Sequence, residues 1–276
     1  MSPLTRRQVA ELLERHDLAP SRALGQNFVV DPNTVRRVVR LAGVAPGDHV
    51  VEVGAGLGSL TLELAAAGAH VVAIERDRYL IPVLREVLAG AGVTASVDVV
   101  EADALTLDWP ALLAGRAPWQ LVANLPYNVA TPLVLDLLDG VPAIDRFLVM
   151  VQREVGERLA AVPGTRAYGI PSVKIAYWAT AELAGKVSRE VFLPRPKVES
   201  VLVRITRRPD GPATTAEPDR LFELVRAGFG QRRKMLRGAL GGLVEPEAFA
   251  RADVRPDARA EELSVEDWGR LADASG

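Results

Sequence analysis

The stretch Val50-Val51-Glu52-Val53-Gly54-Ala55-Gly56-Leu57-Gly58 constrains what this chain can fold into more than any other. A short apolar run enters a glycine-rich turn, and a helical pattern over 59–67, ended by Gly68, leaves it. Glycines there let the backbone take φ values that a Cβ forbids and approach a ligand closely. Strand, tight turn and helix in that order open a βαβ unit. The alternation continues: strands over 69–74, 97–100, 121–124 and 146–151, and helices over 79–89 and 131–138. Strands alternating with helices predict a parallel sheet covered on both faces.

Either side of this block the pattern differs. Residues 5–17 form a polar amphipathic helical pattern, and a loop follows at Leu24-Gly25-Gln26-Asn27-Phe28. Asp31 precedes Pro32 at a helix start, with Val35, Val38, Val39 and Ala42 at helical spacing. After the fifth strand the rhythm changes: 173–183 mixes aromatic and β-branched residues, and 199–206 alternates as another strand. The Pro/Gly/Thr-rich stretch 209–218 reads as a linker, and 219–272 is helical in pattern. The expected division is therefore 1–208, an α/β domain, and 209–276, a small helical one.

Composition removes several classes of chemistry. The chain of 276 residues has no Cys, which excludes disulfides, Cys-zinc sites and thiol nucleophiles. His16, His49 and His70 are scattered, so no metal is expected. No apolar run is long enough to cross a bilayer, and the N-terminus lacks a signal-peptide pattern, so a cytoplasmic protein without membrane contact is expected. Net charge is only -2, but the cations are segregated. Seven Lys/Arg lie between Lys186 and Arg208 against Glu190 and Glu199, and five lie between Arg226 and Arg237 with no acid. Such clustering suits either a nucleic-acid surface or an ordinary solvated one.

The glycines follow GxGxG spacing, whereas the dinucleotide fingerprint would place Gly or Ala at Ser59. Glu52 precedes Gly54 by two residues, and Glu75 lies 21 positions after Gly54, at the end of the second strand. A carboxylate there accepts hydrogen bonds from ribose hydroxyls. With no pyrophosphate to hold, the arrangement fits S-adenosylmethionine; the alternative is a tight turn without a ligand. Asp103 follows the third strand and can accept the adenine amino group of such a cofactor, or serve simply as a loop acid.

Asn124-Leu125-Pro126-Tyr127 follows the fourth strand, where a loop borders the cofactor pocket of an open sheet. An exocyclic purine amine is a poor nucleophile because its lone pair is delocalised into the ring. Two acceptors aimed at its N–H groups draw it toward tetrahedral geometry and free the lone pair. Asn124 offers a side-chain carbonyl, Leu125 a backbone carbonyl restricted by Pro126, and Tyr127 a face for the base. A base inside folded RNA must be splayed out to enter, and Phe192 is the candidate second aromatic face, with a core position as its alternative. Arg195 and Lys197, in the same proline-stiffened segment, are candidate phosphate contacts.

Together these motifs resemble the rRNA adenine N6-dimethyltransferases, specifically the small-subunit (KsgA-like) branch, over almost the whole chain. Gln26-Asn27-Phe28 resembles that family's N-terminal cofactor motif, Phe192 to Ser200 its late target-side motif, and Gln231 to Arg237 the basic helix opening its C-terminal domain. The resemblance implies a Rossmann-like class I methyltransferase fold with a mostly parallel seven-stranded sheet and a small all-α C-terminal domain. It implies cofactor contacts at Gln26, Asn27, Val29, Gly54, Gly56, Glu75, Asp103, Ala104 and Asn124. It implies RNA contacts at Arg195, Lys197, Arg232, Arg233, Lys234 and Arg237. The implied reaction places four methyl groups on two adjacent adenines near the 3′ end of 16S rRNA in a pre-30S particle, by a monomer. Glu101, Ala176 and Val29-Val30 depart from the residues common at those places, and none removes a reacting group.

Three other readings compete. A macrolide-resistance enzyme would modify 23S rRNA with the same tetrapeptide; Asn128-Val129-Ala130-Thr131-Pro132 and the basic C-terminal run favour the small-subunit branch. A DNA adenine methyltransferase more often carries Asp where Asn124 stands. An assembly factor that binds without catalysis has no need of Asn124, Pro126, Tyr127 and Glu75 together.

Overall fold

The computed structural model describes residues 2–116, 118–126 and 129–276. Tyr127, expected to stack the target base, lies outside the described residues. The strands are β1 (Phe28–Val29), β2 (His49–Val53), β3 (His70–Glu75), β4 (Val97–Glu101), β5 (Trp119–Asn124), β6 (Ile144–Gln152), β7 (Ala179–Val187), β8 (Phe192–Leu193) and β9 (Ser200–Arg207). The chain divides into two compact units, Met1–Gly156 with Glu182–Thr206, and Glu157–Ala181 with Arg207–Gly276.

The first unit is built on a sheet of seven strands in the order β4-β3-β2-β5-β6-β9-β7. From β4 to β6 neighbours run parallel, and β9 pairs antiparallel with β6. The apolar runs of β2 and β3 are buried because helices cover both faces of a parallel sheet. The chain winds outward from β2 through β3 to β4, then returns to the other side of β2 as β5. That reversal opens a crevice at the carboxyl ends of β2 and β5, where open α/β sheets bind their ligands. Gly54 leaves β2 and Asn124 ends β5 at this point.

Local chemistry sets the flanking helices. Thr5 and Gln8 form a capping box at the start of Arg6–Arg15. Asp31 accepts from the Thr34 N–H at 2.9 Å and Pro32 occupies the first helical turn of Pro32–Ala42. Gly58 opens Ser59–Ala66 at φ 87°, and a Cβ there would lie 2.8 Å from Leu84 Cδ1. Two constraints, left-handed backbone and a close neighbour, thus demand glycine. The short β1 and β8 pair antiparallel, Phe28 opposite Leu193 and Val29 opposite Phe192.

The second unit has its own apolar cluster. Helices Ile170–Trp178, Pro218–Gly230 and Val265–Ala274 contribute Val173, Tyr177, Leu221, Leu224, Trp268 and Leu271. Tyr177 meets Phe222 edge-on with centroids 5.4 Å apart. This unit differs from a division at residue 208 in one respect: 157–181 belongs with 207–276. The reason is packing. Val173 and Tyr177 bury their side chains in the cluster of the later helices, while β7, which begins at Ala179, runs on into the sheet. The expected basic helix over 231–237 is also corrected. Pro218–Gly230 ends before it, Leu236–Ala239 begins within it, and 231–234 form turns between them.

Candidate functional site

The crevice at the ends of β2 and β5 holds a cavity lined by 24–29 from the N-terminal loop, 52–57 from the glycine turn, 74–76, 102–105 and 124–126. All of Gln26, Asn27, Val29, Gly54, Gly56, Glu75, Asp103, Ala104 and Asn124 line it, as do Leu125 and Pro126. The structure thus brings these candidates to one place from five loops.

The glycine turn is held by its neighbours. Gly54 and Ala55 donate to the Ile74 carbonyl at 2.8 and 3.2 Å, which pins the turn to β3. Gly54 and Gly56 stand at φ 77° and 59°. A Cβ on Gly54 would point at the segment that follows β5, 3.6 Å from Pro126 Cδ and 3.7 Å from the Asn124 carbonyl. One on Gly56 would meet the Phe28 ring at 3.1 Å. Glycine therefore lets three segments converge.

Two buried carboxyls floor the cavity. Glu75 Oε2 accepts from the Gly56 N–H and Oε1 from the Asp77 N–H, both at 2.8 Å. Each oxygen retains acceptor capacity for a ligand hydroxyl. Burial pushes its pKa up, against the lowering effect of those backbone donors. Glu52 is more deeply buried, and desolvation pushes it up to about 8, with the Thr61 hydroxyl at 2.6 Å opposing and the Glu75 charge adding. Asp103 accepts from Leu105 N–H at 3.1 Å and faces Arg76 at 3.2 Å. Glu101, the departure before Ala102-Asp103, is exposed at the end of β4 and does not line the cavity.

Among the described lining residues the one cation, Arg76, is paired with Asp103, and Glu52 is protonated below about pH 8, which leaves Glu75 as the unpaired carboxylate. A pyrophosphate would find no free cation there, whereas a nucleoside bearing hydroxyls and a cationic group would find acceptors and attraction. The donor set therefore fits adenosine joined to a charged amino acid better than a dinucleotide. No group of three or more side chains that could hold a metal occurs among the described residues, and no described helix is long and apolar enough to cross a membrane.

Asn124 is half-buried at the rim of the same cavity. Its Nδ2 donates to the Asn27 carbonyl at 3.0 Å. Leu125 is anchored by its N–H to the Met150 carbonyl at 3.1 Å and by a buried side chain. The Pro126 carbonyl accepts from Val129 N–H at 3.1 Å. Asn124, Leu125 and Pro126 are thus each held by a hydrogen bond to a neighbouring segment.

Several expected residues are placed elsewhere. Phe192 is fully buried in the core of the first unit, where β8 pairs with β1, and does not line the cavity. In this structure its ring occupies the core position that the sequence offered as the alternative to a stacking face. Arg195 is paired with Glu190 at 2.5 Å, and Lys197 is exposed. Arg232 is committed within the second unit, to Glu261 at 2.6 Å and to the Arg166 carbonyl at 2.9 Å. It is tethered there, while Arg233, Lys234 and Arg237 are exposed. Sequence reasoning missed Asp77, which holds Gln26 across 51 residues, and the packing of Phe28, already part of the N-terminal motif, whose ring fills the space a Gly56 side chain would need. No local pattern signals such distant pairings.

A doubly wound, mostly parallel sheet with a glycine turn and an acid-floored cavity at its switch point defines the class I methyltransferase architecture. Among solved structures, a dimethyladenosine transferase from Plasmodium falciparum shares this fold (TM-score 0.75, 23% identity, 87% of this chain and 94% of that one). So does the 23S rRNA methyltransferase ErmE (TM-score 0.69, 27% identity, 90% of this chain and 99% of that one). The ribosomal RNA adenine dimethylase family profile matches residues 20–275, and the chain belongs to that family. It is 50% identical to ribosomal RNA small subunit methyltransferase A of Kineococcus radiotolerans, over 98% of this chain and 91% of that protein. The namesake from Streptomyces coelicolor is 48% identical over 96% of this chain and 94% of its own length.

Proposed function

We propose that this protein methylates adenine N6 in 16S rRNA, taking the methyl group from S-adenosylmethionine and adding two to each of two adjacent adenines near the 3′ end. The observation that carries this reading is the placement of Asn124 beside the acid-floored cavity, where the strand order switches between β2 and β5. When bound, the cofactor supplies an electrophilic methyl carbon on a sulfonium. Everything else is positioning.

Glu75 and Asp103 hold the adenosine, the first through ribose hydroxyls and the second through the adenine amino group. The glycine turn at Gly54 and Gly56, with Gln26, Asn27, Val29 and Ala104, shapes the enclosure. Asn124 Oδ1 and the Leu125 carbonyl accept from the N–H groups of the target amine, and Tyr127 supplies a face for the base. An amide is no base at neutral pH, so the proton leaves to water after the bond to carbon forms. Arg195, Lys197, Arg233, Lys234 and Arg237 meet phosphates, and residues 209–276 serve ribosome binding. The setting is a pre-30S particle in the cytoplasm, with the protein acting as a monomer.

The likeness to ErmE keeps 23S rRNA as the second reading. Near-half identity to proteins named small-subunit methyltransferase A, over nearly the whole chain, favours 16S. The test is labelled methyl transfer to unmethylated 30S subunits and, separately, to 23S fragments, with the modified nucleosides identified. The expected product is N6,N6-dimethyladenosine in 16S RNA alone. Label in 23S RNA, or only monomethyladenosine, defeats the assignment; binding to 30S without any label leaves a non-catalytic assembly factor.

A further inference from the structure

The two ends of an asparagine amide are nearly the same shape and opposite in function. The oxygen accepts from an amine; the NH2 can only oppose it, donor against donor. Something in the fold must therefore decide which end of Asn124 faces the substrate. A backbone carbonyl accepts and cannot donate, so the amide end against the Asn27 carbonyl at 3.0 Å is Nδ2. Oδ1 is left on the other side. Rotating the amide would set Oδ1 against that carbonyl, two acceptors facing each other.

The Asn27 carbonyl does this only if its loop is held in place, and the loop lies in irregular backbone just before the two-residue β1. Its anchor is Gln26. Gln26 Oε1 accepts from Ser21 N–H at 2.7 Å, its own N–H donates to the Ser21 carbonyl at 3.1 Å, and its Nε2 donates to Asp77 Oδ2 at 2.7 Å. Asp77 is in turn fixed at the end of β3: its N–H donates to Glu75 Oε1 at 2.8 Å and its Oδ1 accepts from Tyr79 N–H at 3.0 Å. Asn27 Nδ2 closes the turn by donating to the Gly25 carbonyl at 3.0 Å. Hydrogen bonds thus run from Glu75 through Asp77 to Gln26, the peptide bond carries the link to Asn27, and a further hydrogen bond reaches the Asn124 amide.

We infer that Gln26 and Asp77 are positioning residues, a strap that holds the Asn27 carbonyl where it locks Asn124 with its oxygen toward the target amine. This rests on the acceptor role proposed above for Asn124. It also gives Gln26 a task besides lining the cavity, because both ends of its amide are engaged away from the ligand space.

The test is a double-mutant cycle on single-turnover methylation of 30S subunits at saturating cofactor. Gln26→Ala should slow transfer by about 10- to 100-fold, as displacement of a reacting group by a fraction of an ångström does. In an Asn124→Ala background the same change should cost less than about 2-fold, since the amide it orients is gone. A purely structural role would give equal factors in both backgrounds, and that result overturns the strap. An unslowed Asn124→Ala enzyme would instead sink the acceptor role itself, and the strap with it. Side-chain amide exchange of Asn124 in 15N-labelled protein gives a reading independent of turnover. Its NH2 should be protected in the parent and exchange faster in Gln26→Ala; unchanged protection overturns the proposal. Asp77→Ala cuts the same contact from the other side and replaces Gln26→Ala in every arm if that variant fails to fold.

Discussion

At the scale of single residues, the floor of the cavity makes a thermodynamic prediction. Glu52 has a folded-state pKa pushed up to about 8 from an ordinary carboxylate value. Between those two values the native state binds the proton that the unfolded chain releases. Its contribution to stability is therefore full below the unfolded pKa and is lost as pH rises toward 8. Glu75 shifts in the same direction. Glu52→Gln keeps a partner for Thr61 and cannot ionise, so its stability should fall less between pH 5 and 8 than that of the parent. The difference in slope is at most about 1.4 kcal/mol per pH unit. Urea midpoints at several pH values check this, and parallel slopes would mean that Glu52 is solvated in the native state. Asn124→Ala should lower the methylation rate by about 10²-fold, the cost of one preorganised polar contact. Cofactor affinity, measured by calorimetry alongside, should fall far less. A rate within twofold of the parent removes Asn124 from the chemistry.

At the scale of elements, Arg153–Leu159 shows how tightly the sheet is covered. A Cβ on Gly156 would lie 2.3 Å from Val201 Cγ2 and 3.0 Å from Val203 Cγ2 on β9. Valine has little rotamer freedom with which to yield. Gly156→Ala should therefore destabilise by about 1–3 kcal/mol through overpacking, despite the better helix propensity of alanine. A rise in the urea midpoint would contradict this. In the second unit, the Tyr168 hydroxyl donates to the Leu263 carbonyl at 3.0 Å in a buried setting. Tyr168→Phe leaves that carbonyl without its donor and should cost about 1–3 kcal/mol; a shift in midpoint too small to resolve would show that water replaces the hydroxyl. These elements differ in how far sequence alone reveals them. The run of β2 is bounded by Asp48 and Gly54, so apolar length alone delimits it. Ile170–Trp178 carries Val173, Ile175 and Tyr177, which suit helix or strand equally, and packing in the second unit decides.

At the scale of the whole molecule, net charge of -2 says little about partners, and the distribution of cations says more. Arg233, Lys234 and Arg237 are exposed in or beside a turn between helices. If they meet phosphate, neutralising any one should weaken RNA binding and reduce the salt slope of affinity by about 0.7–0.9. Arg232→Ala should behave differently, loosening 231–234 through loss of Glu261 and the Arg166 carbonyl before it changes any phosphate contact. Binding isotherms from low to high salt separate the two cases. A slope unchanged by Lys234→Ala would return these cations to ordinary solvation.

What the sequence determined by itself was local or periodic. The glycine turn, the alternation of strands and helices, the caps at Thr5 and Asp31, and the order of Glu75, Asp103 and Asn124 along successive strand ends can all be read from neighbours in the chain. Only the tertiary structure decided which way Phe192 faces, that 157–181 joins the later helices, that Arg232 is spoken for, and that Gln26 is tied to Asp77. The physical reason is the same in each case. These outcomes depend on contacts between segments dozens to more than a hundred residues apart, and such contacts leave no periodicity in the chain that makes them.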